Sequence, residues 1–378
     1  MSAKLPPLTL GIEEEYQILD TETLELKSYV QEMLEQGRVV LQDQIKPEFL
    51  QSQIEVGSQI CRNIHEARAD LIRLRRSICE LADANGLKVA AASTHPFSSW
   101  TRQDVNITPR SIKLEEDMGE LARRLLIFGM HVHIGIEDRD MAIDCMNVVR
   151  YMLPHLLALT TSSPFWSGRI TGLKSYRSIL FEELPRTGLP EEFSSWAAFD
   201  RFVQRLINTG CIADGSKIWW DVRPHYAFPT LEFRVPDICT RAEEAVAVAS
   251  LIQAVVAWLC DLRKRNLTFR TYRPDMIYEN KWRALRHGLD GRMIDFGKEE
   301  EASTKSLVRE LLLLVDEQID ELGSREEIEV IYSILEHGTS ADRQLRVFHE
   351  NGGEANKEQA LCAVVDHLVR ETTEGISA

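Results

Sequence analysis

The sequence predicts an α+β protein whose sheet is charged on one face and packed under helices on the other. Three observations lead there. Five strand-like segments alternate polar and aliphatic residues, and side chains two apart share a face of a strand. The polar positions of those segments are Glu13 and Glu15, Glu55, His131 and His133, Asp221 and Arg223, and Glu232 and Arg234. Between them run long segments with apolar residues at helical spacing.

The first strand is GIEEEYQI, Gly11 to Ile18. Leu8, Leu10, Ile12, Tyr16 and Ile18 fall on one face and Glu13, Glu15 and Gln17 on the other, with Glu14 the exception on the apolar face. Neighbouring carboxylates about 4 to 6 Å apart repel by on the order of 3 to 4 kcal/mol at an effective dielectric near 20. Something positive is expected beside them. The segment IKPEFLQSQIEVGSQI is strand-like, with Glu48 and Glu55 seven residues apart. Ile64 to Asn85 is an amphipathic helix stopped by Asn85-Gly86, and LKVAAAST is a buried strand leading to Thr94 and His95.

A second helix is expected over Ser111 to Phe128. HVHIGI then places His131 and His133 together on one strand face. A long apolar helix follows from Asp140 to Thr161, ending in the loop SSPFWSGRITGLKSYR. This loop carries Arg169, Lys174 and Arg177 and is the most basic flexible stretch of an acidic chain, so it is expected to lie near an anion and to form part of a lid. IWWDVRPHYAF and TLEFRVPD are two strands joined by a Pro-containing turn. Arg241 to Arg265 is a mostly apolar helix, and ENKWRALRHGLDG starts a helix whose Lys281, Arg283 and Arg286 suit a solvated face. Trp166, Trp219 and Trp220 suit core or wall positions. Beyond about Phe296 only ordinary amphipathic helices are expected, giving one catalytic domain over residues 1–378 with a mostly helical C-terminal region.

Composition narrows the function. The 378-residue chain has 44% hydrophobic and 27% charged residues, and a net charge of -15. That balance argues against nucleic acid or anionic membrane as a general partner. Seven cysteines without a CxxC pair read mostly as small core residues in a reducing compartment. MSAKLPPLTL has no apolar leader, and no stretch approaches about 18 uninterrupted apolar residues, so a cytoplasmic protein is expected.

A sheet face left to solvent should show Thr, Ser, Lys and Gln. This one gathers metal-ligand types instead. Carboxylates outnumber imidazoles and no thiolate joins them, which suits hard divalent ions such as Mg²⁺ or Mn²⁺. With arginines alongside, the set suits phosphoryl transfer. No GxxxxGK[ST] or strand-linked GxGxxG is present, so a nucleotide would be held by metals and strand arginines.

GIEEEYQ, THPF, HVHIG, SPFW-G-TG-SYR, DVRP with TLEFRVPD, and ENKWRALRHGLDG occur in the order seen in carboxylate-amine ligases of the YbdK type. The chain resembles that family from about Leu8 to Asp290 and more loosely beyond. These are the type 2 glutamate-cysteine ligase relatives within the glutamine synthetase and γ-glutamylcysteine synthetase superfamily. The resemblance implies a curved, largely antiparallel sheet forming a funnel with helices on its outer face. It implies ATP-dependent ligation of an amino-acid side-chain carboxylate, glutamate first, to an amine, cysteine first, through a γ-glutamyl phosphate. Glu13, Glu15, Glu48, Glu55, His131 and Glu232 would be the Mg²⁺ or Mn²⁺ ligands, and His133 would face nucleotide or substrate. Arg223 and Arg234 would contact phosphate and the transition state, and Arg177 the amino-acid carboxylate. A homo-oligomer, by default a dimer, is expected of the superfamily. Two other readings stand beside it: a metal-dependent amidohydrolase, and a ligase-like nucleotide-binding protein with little catalysis.

Overall fold

Leu10–Asp20 is the strand on which the sheet is assembled. In the computed structural model, which describes residues 7–376, it pairs with three others. The opening MSAKLP, part of the stretch read above for a leader, lies outside the described residues. The main sheet runs in the order Val222–Pro224, Thr230–Phe233, Met130–Gly135, Leu10–Asp20, Gln53–Gly57, Ile45–Pro47. Leu87–Ala90 adds to the far half of the first strand, where Gln17 is flanked by Ala90 on one edge and Gln53 on the other. All these pairings are antiparallel. An amidohydrolase barrel would need parallel strands alternating with helices, so that alternative fails on topology.

The apolar face is dry. Leu10, Ile12, Tyr16 and Ile18 are fully buried, each adding about 1.5 to 3 kcal/mol relative to exposure. The helices that cover them are Ile64–Ala84 and Ala242–Lys264. Asn63 caps the first of these by accepting the Glu66 N–H at 2.9 Å. Its buried stripe is Ile64, Ala67, Leu71, Leu74, Ile78 and Ala82, with Arg75 set among them. That arginine explains Glu14: its guanidinium binds the carboxylate with Nε at 2.9 Å, and both side chains are fully buried.

Ala242–Lys264 is long and apolar enough by length and composition to cross a bilayer, but 83% of its most apolar window is buried inside the protein. It is a core helix. Two expected helices are shorter than their apolar spacing suggests. The one over Ser111 to Phe128 divides into Pro109–Met118 and Glu120–Arg123 at Gly119, whose φ of 59° favours glycine. The one over Asp140 to Thr161 divides into Arg139–Val149 and Leu153–Thr160 across the turn Arg150–Met152, because Pro154 cannot donate to a continuing helix. Around Phe296 the chain makes a hairpin, Arg292–Asp295 with Glu300–Ser303, before the C-terminal helices begin. The last helix, Lys357–Thr373, returns to pack Leu361, Val364, Val365 and Leu368 with Phe165 and Phe348.

Two buried histidines away from the charged face make stability fall in acid. His95 Nδ1 accepts the N–H groups of Phe97 and Ser98 at 3.2 and 2.9 Å, which fixes it neutral with the proton on Nε2. Burial lowers its pKa to about 3 and that of His155 to about 4. Unfolded, each titrates near 6.5. A depressed folded value means the stability is whole above about pH 6.5 and is lost as pH falls, by about 2 kcal/mol per histidine at pH 5. Carboxylates whose pKa is raised act in the opposite direction, so the test is a difference. Between pH 7 and 5, the gap in urea stability between wild type and His155→Leu should change by about 2 kcal/mol; an unchanged gap rejects the assignment.

Candidate active site

Strand register lays out the charged face. Glu15 lies opposite Glu55, and Lys46 lies opposite Glu55 from the next strand. Glu13 faces His131 and Gly11 faces His133; Glu232 faces His133 on one side and Arg223 on the other. Above these rows is a cavity of about 420 Å³ lined by Glu13, Glu15, Glu48, Glu55, His131, Arg177, Arg223, Glu232 and Arg234. His133 stands just behind Glu13, with Nε2 3.6 Å from its carboxylate. A groove of about 530 Å³ along Arg139–Val149 and Ala242–Lys264 gathers no comparable set.

At one end of the cavity the carboxylates crowd. Glu15, Glu48 and Glu55 each offer an oxygen within 4.8 Å of the others. Glu48 reaches the group from the turn after Ile45–Pro47. Burial raises all three carboxyl groups and neighbouring negative charge raises them further, Glu15 to about 7. Glu15 accepts the Gly129 N–H at 2.7 Å, and Lys46 Nζ sits 3.2 Å from Glu55 and 3.6 Å from Glu13. One lysine does not neutralise this group. Three convergent oxygen donors, without a thiolate, fit a hard divalent cation.

Glu13 behaves differently from its neighbours. Burial alone would raise it, but hydrogen bonding and charge from His131 and His133 hold it well below the ordinary range. His131 Nδ1 is 3.3 Å from Glu13, and burial with the nearby Arg234 charge lowers this imidazole to about 4. For His133 burial is outweighed by Glu13 and Glu232, and its pKa rises. Its Nδ1 lies 3.2 Å from Thr230 Oγ1.

The guanidinium groups form the third part. Glu232 accepts from Arg223 Nε at 2.8 Å and from Arg234 Nη1 at 2.6 Å, and these charges hold it ionised against its burial. Arg177 lies in the first turn of the helix Tyr176–Glu182 and donates from Nη2 to the Arg234 carbonyl at 3.2 Å. Its guanidinium lies on Gly129, where a Cβ would stand 2.6 Å from Nη2. Phe181 supports the guanidinium groups of Arg177 and Arg234, 5.6 and 5.7 Å from its ring centre. Nε of Arg177 and Nε of Arg234 are buried without a partner among the described residues. Unpaired buried N–H groups are costly, and an anion in the cavity would satisfy them.

Other expected positions fall elsewhere. Asp221 turns from the cavity to Lys281, 2.5 Å away, and Lys281 also pairs with Glu182. Lys281 is therefore a buried anchor, unlike Arg283, which bridges Glu279 and Glu301 nearer the surface. The basic loop is tied down and does not serve as a lid. Phe165–Trp166 pairs with Arg169–Ile170, Phe165 meets Phe348, Lys174 pairs with Asp342, and Arg286 holds the Gly172 carbonyl. Only its last residue, Arg177, lines the cavity. Trp219 is a wall residue with Arg186 over its ring, and Trp220 is buried against Phe202. Reading the sequence missed Lys46, Gly129 and His225. For Lys46 the signal was present in IKPEF, one pairing step from IEV; Gly129 and His225 declare themselves only through their neighbours in space.

Residues 9–364 match the model of glutamate-cysteine ligase family 2. A protein of Herpetosiphon aurantiacus named "Putative glutamate--cysteine ligase 2" is 53% identical over 98% of this chain and 94% of its own length. One of the same name from Chloroflexus aurantiacus is 55% identical over 98% and 93%. Among solved structures, glutamate-cysteine ligase from Francisella tularensis in complex with AMP superposes with a TM-score of 0.70 at 13% identity, over 99% of this chain and 91% of that one. A bifunctional glutathione synthetase from Pasteurella multocida gives 0.66 at 16%, over 98% and 53%. At such identities these two speak for the fold alone.

Proposed function

The chain belongs to glutamate-cysteine ligase family 2, and from that premise we propose that it joins the side-chain carboxylate of glutamate to the amine of cysteine with ATP, through an acyl phosphate. The observation that carries the reading is what one cavity holds together: three crowded carboxylates, and two arginines whose buried Nε atoms have no partner among the described residues. The carboxylates suit cations and the arginines suit anions. An ATP-dependent ligation needs both.

A carboxylate resists attack by an amine until one oxygen becomes a leaving group. Transfer of the γ-phosphoryl group makes that leaving group but brings two anions together. Arg223 and Arg234 offset the repulsion on the phosphoryl side, where charge builds as the bond to ADP breaks. Arg177 holds the amino acid by its α-carboxylate, its planar fork suited to two parallel hydrogen bonds. The amine then attacks the acyl carbon, and phosphate leaves as the amide forms.

Glu15, Glu48 and Glu55 would hold divalent metal on one side, and Glu13, His131 and Glu232 on the other. Bound Mg²⁺ or Mn²⁺ would neutralise the triphosphate. Glu232 would share its carboxylate with the arginines that now engage it, and His133 faces the nucleotide. The sheet that carries these residues would curve into the funnel, and the C-terminal helices would complete a single catalytic domain that acts in the cytoplasm.

Phosphate release from ATP by purified protein with Mg²⁺ tests the reading directly. Release should require glutamate and rise when cysteine is added. Release with neither requirement points to a different substrate pair, and none with any amino acid favours a nucleotide-binding protein.

A further inference from the structure

The hairpin joining Val222–Pro224 to Thr230–Phe233 carries an aromatic tip where a solvated turn would be polar. Between Pro224 and Pro229 it reads His-Tyr-Ala-Phe, and Tyr226 and Phe228 are 52% and 61% exposed. The tip is nevertheless held in place. His225 Nδ1 accepts the N–H groups of Ala227 and Phe228 at 3.2 and 3.0 Å. Arg139 donates to the carbonyls of His225 and Phe228 at 3.2 and 3.3 Å. Tyr226 lies on Gly215, where a Cβ would come within 2.6 Å of its ring. The rings of His225 and Phe228 are stacked, with centroids 4.8 Å apart and planes at 14°. His225 lines the cavity that holds the carboxylates and arginines. A fixed, flat aromatic pair whose His225 member borders a polar cavity suits another flat ring.

Position along the first strand says which ring. Glu15 lies beside Gly129 and Arg177. Glu13 faces His131, and Gly11 faces His133. His133 in turn meets His225 edge-on, with centroids 5.6 Å apart. From Glu15 to Gly11 is about 13 Å of strand, so Arg177 marks one end of the row and the hairpin the other. The space between holds the metal-ligand types and the guanidinium groups, room enough for a triphosphate.

Resting on the ligase reading, with the amino acid at Arg177 and the phosphates between, the geometry points to the His225–Phe228 hairpin as the platform on which the adenine base of ATP stacks. With Nδ1 accepting two amide hydrogens, His225 carries its proton on Nε2 and offers that group as a donor beside the base. Stacking of this kind is tolerant of which base is presented, so the platform sets affinity for a nucleotide more than choice among nucleotides.

The test compares a ligand that has a base with one that lacks it. Dissociation constants for ATP and for inorganic tripolyphosphate are measured by calorimetry on the full chain with Mg²⁺, for wild type, Phe228→Ala and Phe228→Trp. Phe228→Ala should weaken ATP about tenfold and tripolyphosphate by less than about twofold, whereas Phe228→Trp should keep ATP affinity. Equal weakening of both ligands, or no weakening of ATP, overturns the platform. A changed sedimentation mass in Phe228→Ala with ATP affinity intact makes the tip a subunit contact and overturns it as well. Wild type that binds neither ligand removes the ligase reading itself; wild type that binds ATP no better than Phe228→Ala removes only the platform.

Discussion

Glu55→Gln should lower glutamate- and cysteine-dependent phosphate release by on the order of 10³-fold while making the protein more stable. The two effects have one cause. Glu55 is paired in register with Glu15, and its carboxylate also approaches Glu48. At about 5 Å and an effective dielectric near 20, one such repulsion is worth about 3 kcal/mol, and relaxation leaves about 1 to 3 kcal/mol to be recovered by removing a charge. The pH dependence follows from the raised pKa of Glu55, caused by burial and then by the charges of Glu13 and Glu48. A raised folded value means the proton is held more tightly in the folded state. The penalty is absent below the unfolded value near 4.3 and grows as pH rises. The stabilisation by glutamine should therefore be present at pH 7.5 and vanish near pH 4. Urea titrations in chelator at both pH values, beside the phosphate assay, give the answer. An inactive variant that is also less stable would make Glu55 a structural residue, and an active one would remove it from the ligand set.

The same crowding of like charges is why the candidate site was legible in the sequence. A strand with Glu13 and Glu15 on one face, another with His131 and His133, and EFR with Glu232 and Arg234 violate what a solvated sheet face should carry, and period-two alternation fixes the face each group takes. Antiparallel pairing then brings the faces together without further information from loops. What alternation does not contain is a partner distant in the chain. Glu14 looked like an error on an apolar face because its answer, Arg75, lies 61 residues away in the middle of a helix. Lys281 looked solvated because Asp221 and Glu182 meet it from two other elements. The loop ending at Arg177 looked like a lid because its composition shows charge and glycine, while its anchors, Asp342 and Phe348, belong to C-terminal helices that carry no chemical signal of their own. Helix ends at Gly119 and Pro154 were written in the sequence and were overridden by the apolar spacing that continues across them.

The Arg75–Glu14 pair should govern stability as Glu55 is expected to govern turnover. Arg75→Met is expected to cost about 3 to 5 kcal/mol, because it leaves a carboxylate buried and unpaired. The guanidinium also donates to the carbonyls of Thr240 and Cys239 at 2.7 and 2.8 Å, just ahead of Ala242–Lys264. It thus joins the central strand, the helix it belongs to and the entry to the core helix. Glu14→Leu with Arg75→Met removes both charges and should recover about half or more of the loss, the remainder being the two carbonyls left without a donor and the buried Tyr16 hydroxyl left without its Glu14 acceptor. Urea unfolding of the single and double variants at pH 7.5 measures this; a single variant costing under about 1 kcal/mol, or a double no better than the single, would sink it. The placement of the pair has a consequence for the site. Three glutamates in succession give the strand little to distinguish one register from the next, and a slip of one residue would exchange its faces. Glu13 and Glu15 would then enter the core and Glu14 would enter the cavity. Only the middle glutamate has a buried arginine waiting for it on the apolar side, so the pair selects the register in which two carboxylates reach the cavity and one does not.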